Sequence, residues 1–282
     1  MKKIVTMILA ALMLLTVVGC GGGATTKTEK TYVVLNDKLA AEEYGIGFRK
    51  DDIALGMAVY GALDEMIDDG TAAEISKKWF GENILVKNDV YIEKGLILDS
   101  APLDQSLQKI KDKGQLVLGL DASFPPMGFT DENNEIVGFD IDLAEEVCKR
   151  LGVTLVKQPI NWDAKEMELD GGKIDCIWNG MTITDARVEA MFIPKAYVAN
   201  AQIVIVPEGS DIKDVAALEG KKVGLQKGSS ALEALQGNAV YEKVGEVIEY
   251  EDNVTCYLDL KAGRVDAMVV DEIVGRYLIE TE

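Results

Sequence analysis

The 282-residue sequence contains no histidine. Histidine is the side chain that most often acts as a general base near neutral pH, binds zinc and activates serine or cysteine nucleophiles. Its absence excludes the commonest arrangements found in hydrolases and zinc enzymes. The cysteines have no CxxC or other metal-ligand spacing, and nothing in the sequence indicates a metal, nucleotide or redox cofactor.

Positive charge is also scarce. The chain has 29 Lys and Arg against 48 Asp and Glu, which gives a formal net charge of −19. Such a field repels nucleic acid backbones and anionic lipid headgroups, so nucleic acid is excluded as a partner. With 48% hydrophobic and 27% charged residues, the chain is long enough for one large or two modest globular domains.

The N-terminal segment has the pattern of a processing signal. Two lysines precede an apolar run over residues 4–18, which is too short for a comfortable membrane span, and the run ends at Cys20. Small residues before this cysteine and three glycines after it resemble a bacterial lipobox. The resemblance implies that residues 1–19 are a lipoprotein signal peptide and that a lipidated Cys20 anchors the protein to the membrane outside the cytoplasm. A plain signal peptide or a short anchor is the alternative. Residues 20–31 are predicted to form a flexible tether.

Three further cysteines, Cys148, Cys176 and Cys256, allow at most one disulfide within the chain. Cys148 and Cys176 fall on a predicted helix and a predicted strand of one domain, so that pair could form. Three buried free thiols are the expected state.

From Tyr32 onward, short β-branched runs alternate with amphipathic segments. This order predicts an α/β protein with a mostly parallel sheet covered by helices, and the number of strands favours two sheets. Asp52 is predicted to cap one helix that ends at Gly70, and Gly152 is predicted to end another. Residues 88–102 lose the helical period and are interpreted as a connection, with a candidate strand at 91–92 or 96–98.

Two polar segments after predicted strands could bind one carboxylate. In the first, a glycine precedes Ser229 and Ser230, and Ser230 begins a capping-box pattern that presents N–H and hydroxyl groups at a helix N-terminus. In the second, the Thr182 hydroxyl and the Arg187 guanidinium could approach from the opposite side. The ordinary alternatives are a capped helix and a surface ion pair.

Two rings and two acids also follow predicted strands. Phe124 and Trp162 could cover an aliphatic or cationic part of a ligand, and Asp121 and Asp271 are placed to hold an ammonium group. Taken singly, such rings are more often core residues and such acids more often cap a helix or turn.

Together these segments resemble the polar-amino-acid-binding proteins of ABC importers. The resemblance rests on residues 121–129, 137–143, 179–187, 226–230 and 259–267. It implies the two-lobe α/β fold of type II periplasmic binding proteins, with a hinge formed by two strands near residues 44–48 and 202–206. The lobes close over a free amino acid, which is delivered to an ABC permease. We expect a monomer without catalytic activity.

The resemblance also implies a role for each candidate. The α-carboxylate is held by Arg187 with Thr182 and Ser230, the α-amino group by Asp271, and the side chain between Phe124 and Trp162. Asp121, Asn179 and Gly180 line the pocket. Some members of the family have small hydroxyl residues where this chain has Asn179 and Gly180. We therefore expect a polar or basic amino acid as the ligand, without naming which one.

The order of the segments departs from that family. The stretch resembling residues 32–80 comes last in the family and first here, which predicts a circular permutation. Lobe 1 would comprise residues 45–205, with the connection 88–102 joining the usual termini, and lobe 2 would combine 32–44 with 206–282. We expect ligand binding to survive and docking on the permease to suffer.

Two other functions remain open. One is a ligand sensor or an engineered permuted binding scaffold. The other is a dehydratase-like enzyme on the same fold, with Glu166 or Asp121 as the pocket acid.

Overall fold

A computed structural model describes residues 31–87, 92 and 104–281. The signal segment with Cys20, nearly all of the tether, and both candidate strands of the 88–102 connection except Ile92 lie outside the described residues.

The described residues form twelve strands and nine α-helices, in alternation over much of the chain. The strands are β1 (Tyr32–Val34), β2 (Ala40–Gly47), β3 (Gln115–Leu120), β4 (Ser123–Phe124), β5 (Gly128–Thr130), β6 (Ile136–Val137), β7 (Thr154–Pro159), β8 (Cys176–Thr182), β9 (Ala196–Pro207), β10 (Lys222–Gln226), β11 (Glu246–Tyr250) and β12 (Ala267–Asp271). The helices are α1 (Ile53–Asp69), α2 (Thr71–Phe80), α3 (Ser106–Lys113), α4 (Phe139–Leu151), α5 (Lys165–Asp170), α6 (Asp185–Ala190), α7 (Ala231–Gln236), α8 (Asn253–Ala262) and α9 (Glu272–Glu280).

The main sheet has the strand order β11-β10-β12-β9-β2-β8-β3-β7, and β1 pairs with the end of β9. Two sheets are present, as expected, but they differ greatly in size, because β9 and β2 pair with each other as well as with the strands that flank them. The second sheet contains only β4, β5 and β6. The main sheet is mixed, since the pairs made by β3 and β10 are parallel and those made by β9 are antiparallel.

The two sides of the sheet repeat one layout. In the β3 half, β7, β3 and β8 run parallel to one another, and in the β10 half β11, β10 and β12 do the same. Strands β2 and β9 lie between the halves and are called the crossing strands here. Ligands of α/β proteins bind at the carboxyl ends of parallel strands, so the ends of β3, β8, β10 and β12 indicate where the site lies.

The sequence predicted where helices end more accurately than which residue caps their start. Gly70 and Gly152 adopt left-handed conformations after α1 and α4, as predicted. The predicted cap of α1 is wrong, because Asp52 makes no capping bond and pairs with Arg49 at 2.6 Å. The first turn of α1 is instead capped from a distant segment, where Asp104 and Ser106 accept its backbone N–H groups.

The core contains the large side chains of Trp178, Tyr44 and Tyr60, each at most 1% exposed. Cys148, Cys176 and Cys256 are buried and free, which confirms the expected state. None of the described helices combines the length and apolar composition needed to cross a lipid bilayer.

Candidate functional site

A narrow cleft lies between the β3 half and the β10 half. Every ligand-binding residue proposed from the sequence lines this cleft except Asp121 and Asn179. These two lie beside it, with the Asp121 N–H donating to Asn179 Oδ1 at 3.0 Å. The lining residues are Phe124, Trp162, Gly180, Thr182, Arg187, Gln226, Ser229, Ser230 and Asp271.

Strand β8 carries three of the candidates. It runs to Thr182, so Asn179 and Gly180 lie within the strand and not in the loop that the sequence predicted after residue 178. Gly180 has φ +57°, and a Cβ there would lie 2.8 Å from Cε1 of Phe124. Glycine at this position therefore allows the Phe124 ring to pack against the strand.

Arg187 lies in the first turn of α6, and its guanidinium is turned into the cleft. Its Nη1 donates to the Thr182 carbonyl at 2.7 Å, and its Nη2 donates across the cleft to the Gly228 carbonyl at 3.1 Å. The residue is 8% exposed, and burial lowers the pKa of the guanidinium. No carboxylate of the described residues forms an ion pair with it. Arg187 is thus a buried cation with N–H donors to spare.

The predicted capping box at Ser230 is wrong. Ser230 has φ −76° and ψ −7°, and its side chain makes no capping bond. Its hydroxyl donates across the cleft to Thr182 Oγ1 at 3.1 Å, while the Ala231 N–H contacts Ser229 Oγ at 3.3 Å. Because Ser230 already has helical backbone angles, its side chain points into the cleft, and the serine before it takes the capping role.

Asp271 is the last residue of β12 and is 4% exposed. Its Oδ1 accepts hydrogen bonds from the Tyr44 hydroxyl at 2.8 Å and from Asn200 Nδ2 at 2.7 Å. Burial, followed by the charge of Glu42, raises the pKa of this carboxyl to about 7. Asp271 is therefore an acid without an ion-pair partner among the described residues, on the same cleft as Arg187.

Sequence reasoning missed three polar residues of the crossing strands. Glu42 of β2 lies opposite Asn200 of β9 in the register, and its Oε2 accepts from Asn200 Nδ2 at 3.1 Å and from Gln202 Nε2 at 3.0 Å. It also accepts from the Thr182 hydroxyl at 3.1 Å. The available signal was the pair of amides at alternate positions of an otherwise apolar strand, which places both on one face.

Gln226 was also missed, although the segment that contains it was singled out. Its Nε2 donates across the cleft to Asp121 Oδ2 at 2.7 Å, and Asn253 Nδ2 donates to its Oε1 at 2.8 Å. Burial, with the nearby charges of Asp252 and Glu251, raises the pKa of Asp121 to about 6, although bonds from Ser123 and Gln226 oppose the shift. The end of the cleft next to Asp121 is therefore acidic.

Trp162 lies in a short 3₁₀ turn after β7, with the Lys165 ammonium 5.1 Å from its ring. Lys165 Nζ donates across the cleft to the Gly228 carbonyl at 2.9 Å. Glu166, considered above as an enzyme's acid, pairs with Lys165 at 3.2 Å and does not line the cleft. Within the described ranges, no group of three or more Cys, Asp and Glu side chains is positioned to hold a metal ion.

Known proteins resemble this chain in sequence and in structure. The profile of the bacterial extracellular solute-binding proteins, family 3, matches residues 116–249. The L-cystine-binding protein TcyJ of Escherichia coli (strain K12) is 32% identical over 193 residues, which are 68% of this chain and 71% of that protein. The histidine-binding periplasmic protein of Salmonella typhimurium is 38% identical over 161 residues, 55% of this chain and 60% of that protein.

Among solved structures, a substrate-binding protein of an ABC uptake transporter from Streptococcus pneumoniae, with bound histidine, superimposes with a TM-score of 0.60. It is 35% identical and covers 62% of this chain and 72% of its own. The expected α/β fold of type II periplasmic binding proteins is thereby confirmed. On its sequence, its fold and its cleft, the chain belongs to the bacterial extracellular solute-binding proteins, family 3.

Proposed function

We propose that the cleft captures one free amino acid between the two halves of the sheet. The observation that carries this proposal is the pair of opposite charges on one cleft. Arg187 and Asp271 are both buried, and neither has an ion-pair partner among the described residues. Buried charges without an ion-pair partner are costly, and a zwitterion with its carboxylate at one and its ammonium at the other would pair with both.

The other candidates complete this orientation. Thr182, Ser229 and Ser230 lie beside Arg187 and can turn hydroxyls toward the ligand carboxylate. Phe124 and Trp162 line the same space and would hold the ligand side chain between them. Asn179 and Gly180 form the strand beneath the ligand.

A polar or basic side chain suits the rest of the cleft. Asp121, with Asp252 and Glu251 near it, makes this end negative, and Gln226 adds an amide. The relatives named for cystine and histidine, and the solved structure that contains histidine, agree with this class.

Membership of the family supports a proposal for the cellular role. We propose that the protein works outside the cytoplasm as a monomer, anchored through a lipid on Cys20, and delivers its ligand to an ABC permease. It would act as a binding protein and not as an enzyme.

We also propose that the chain is circularly permuted, with lobe 1 over residues 45–205 and lobe 2 over 32–44 and 206–282. Two observations support this. Helix α1, early in the chain, packs against α3 and α4, and β2 pairs between β9 and β8. Strands β2 and β9 would then be the hinge.

Thermal unfolding of the chain with a panel of free amino acids tests the capture proposal. A ligand at a hundred times its Kd adds about 2.7 kcal/mol of stability. We expect one or a few polar or basic amino acids to raise Tm. Arg187→Met should abolish the shift, whereas Arg276→Met, at an exposed ion pair with Glu272, should preserve it. Cooperative unfolding with no shift from any amino acid would contradict the proposal.

A further inference from the structure

We propose that Asp140 is a positioning residue for ligand binding, which fixes the backbone of β8 at Gly180 and links it to the crossing strand β9. The inference rests on the proposed capture of a free amino acid. Asp140 does not line the cleft itself, whereas Gly180 does. The carboxylate therefore acts on the ligand through the strand that forms one wall of the site.

Strand β8 is irregular where it borders the cleft. Its residues 178–180 lie opposite a single residue of β2. The pairs that flank them are Gly45 with Met181 and Gly47 with Ile177. Such a bulge leaves backbone groups out of the strand ladder, and bulges often re-aim side chains beside a binding site. The bulge ends at Gly180, the residue with φ +57°.

Asp140 accepts the N–H group that this bulge leaves over. It is fully buried in the first turn of α4, and its Oδ2 accepts the Gly180 N–H at 2.7 Å. Its Oδ1 accepts the hydroxyl of Tyr197 in β9 at 2.8 Å. One carboxylate thus joins a helix, the bulged strand and a crossing strand.

The two donors explain why an acid occupies this buried position. No Lys or Arg of the described residues forms an ion pair with Asp140, and burial raises its pKa to about 7 although bonds from Tyr197 and Gly180 oppose the shift. A buried carboxylate without a cation is costly for stability. It can accept from both donors at once, whereas an asparagine of the same shape offers one oxygen and one NH₂ group.

The Gly180 backbone in turn determines where the Phe124 ring lies. A Cβ at Gly180 would lie 2.8 Å from Phe124 Cε1, so the ring packs directly against the bulge. Phe124 is one of the two rings proposed to hold the ligand side chain. If Asp140 released the Gly180 N–H, the bulge would relax and the ring would lose its support. Loss of the carboxylate should therefore lower the ligand affinity of a chain that is still folded.

The test compares Asp140→Asn with Asp142→Asn in the full chain. Asp142 lies two residues further along α4, and its carboxylate accepts from Lys78 and Trp79, so its variant makes the same chemical change away from Gly180. Calorimetric titration at about pH 8, where Asp140 is ionised, measures the affinity for the amino acid that gives the largest Tm shift. Nuclear magnetic resonance of protein labelled with ¹⁵N-glycine reports the Gly180 amide, which is assigned by its absence from Gly180→Ala.

We expect Asp140→Asn to weaken binding about fivefold or more and Asp142→Asn to weaken it less than about twofold. A bond to a carboxylate moves an amide proton downfield, so the Gly180 signal should move upfield in Asp140→Asn and stay in place in Asp142→Asn. A role in stability alone would lower the Tm of Asp140→Asn and leave the affinity of the folded chain unchanged, and that result would overturn the inference. So would a Gly180 signal that stays in place.

Tyr197→Phe is a second variant that keeps the carboxylate. It removes only the hydroxyl that donates to Asp140 Oδ1, so it should fold even if Asp140→Asn does not. We expect it to weaken binding about threefold and to move the Gly180 signal less than Asp140→Asn does. Affinity and Gly180 signal both unchanged in Tyr197→Phe would overturn the inference, because Asp140 would then not need its link to β9.

Failure of the capture proposal itself gives a different pattern. In that case the unaltered chain binds no amino acid, or Arg187→Met binds as well as it does, and the inference fails with the proposal. Weakened binding in Arg187→Met, with equal affinities in Asp140→Asn and Asp142→Asn, refutes the role of Asp140 alone.

Discussion

Gly180 shows how one backbone angle shapes the cleft. A Cβ at this residue would meet Cε1 of Phe124 at 2.8 Å and Cε2 of Tyr44 at 3.1 Å, in addition to the strain of φ +57°. We expect Gly180→Ala to reduce the free energy of unfolding by roughly 2–4 kcal/mol and to weaken ligand binding, because Phe124 must move. Chemical denaturation and calorimetric titration measure the two effects.

Gly152→Ala is the matched control. Gly152 has φ +75°, but beyond its chain neighbours no atom lies within 4 Å of the position that an added methyl group would take, so this variant carries only the backbone strain. Gly152→Ala should reduce the free energy of unfolding by about 1–2 kcal/mol and leave the affinity for the ligand unchanged. If both variants lose the same stability and keep ligand affinity, the close approach of Phe124 to β8 has no role in binding.

Asp271 gives ligand binding a dependence on pH. It faces Glu42 and Tyr44 from β2 and Arg187 from α6, and its pKa of about 7 means that the empty site binds a proton as pH falls through neutrality. An ammonium ligand favours the ionised carboxyl and lowers its pKa. Affinity should therefore rise from about pH 5 to about pH 7, by up to about tenfold per pH unit, and level off above it.

Calorimetry in buffers of different ionisation enthalpy checks this, because binding near pH 6 should release protons. Asp271→Asn should bind weakly and with a flatter pH profile. An affinity independent of pH in the unaltered chain would show that Asp271 does not meet the ligand's charge.

Residue by residue, the sequence indicated side chains whose chemistry is visible locally. Arg187, Thr182 and Asp271 follow apolar runs, and the structure brings them to one cleft. Glu42 could not be found in this way. Its contact with Asn200 depends on the register between two strands far apart in the chain, and no local pattern specifies that register.

At the level of elements, α1 depends on a cap from another segment. Ser106 Oγ accepts the Leu55 N–H at 3.0 Å, and Asp104 accepts the Ala54 N–H. We expect Asp104→Ala to cost roughly 1–2 kcal/mol of unfolding free energy, measured by chemical denaturation, because it leaves a helix N-terminus without its acceptor.

Asp52→Ala is the comparison. Sequence places Asp52 at the capping position, yet it makes no capping bond. Asp52→Ala should reduce the free energy of unfolding less than Asp104→Ala does, because it removes only a partly exposed ion pair with Arg49. If Asp52→Ala reduced the free energy of unfolding more than Asp104→Ala, Asp52 would be the residue that caps α1, as the sequence predicts.

The elements themselves were largely predictable, and their connections were not. Periodicity located α1 and α4, and glycines marked their ends. The extension of β8 to Thr182 and the continuous main sheet were not foreseen, because both depend on pairing with β2. Pairing partners across a sheet are set by tertiary packing and not by local propensity.

At the level of the whole molecule, the order of segments should matter little for folding. A groove is lined by Tyr32 of β1 and by Ile279 and Glu280 of α9, so the two ends of the described chain lie close together. A reordered chain, with residues 104–281 linked to residues 31–87, keeps the described contacts except those of Ile92, whose N–H donates to the Pro194 carbonyl. We expect its free energy of unfolding to lie within about 1–2 kcal/mol of that of the original chain, and we expect it to bind the same amino acids.

Thermal unfolding and the amino acid panel, applied to both chains, measure this. Misfolding of the reordered chain, with the original chain folding well, would contradict the proposed permutation.

The position of Trp162 has an optical consequence. Of the three tryptophans, Trp178 is fully buried in β8, and Trp79 donates its indole N–H to Asp142 within the β3 half at 2.7 Å. Only Trp162 lines the cleft, beside a lysine that bonds to the opposite half. Opening the cleft would hydrate this indole and leave Trp178 buried, whereas Trp79 lines a separate groove with Ile273 and Tyr277 of α9. We expect the tryptophan emission wavelength to shift as the cleft opens and closes, without a label.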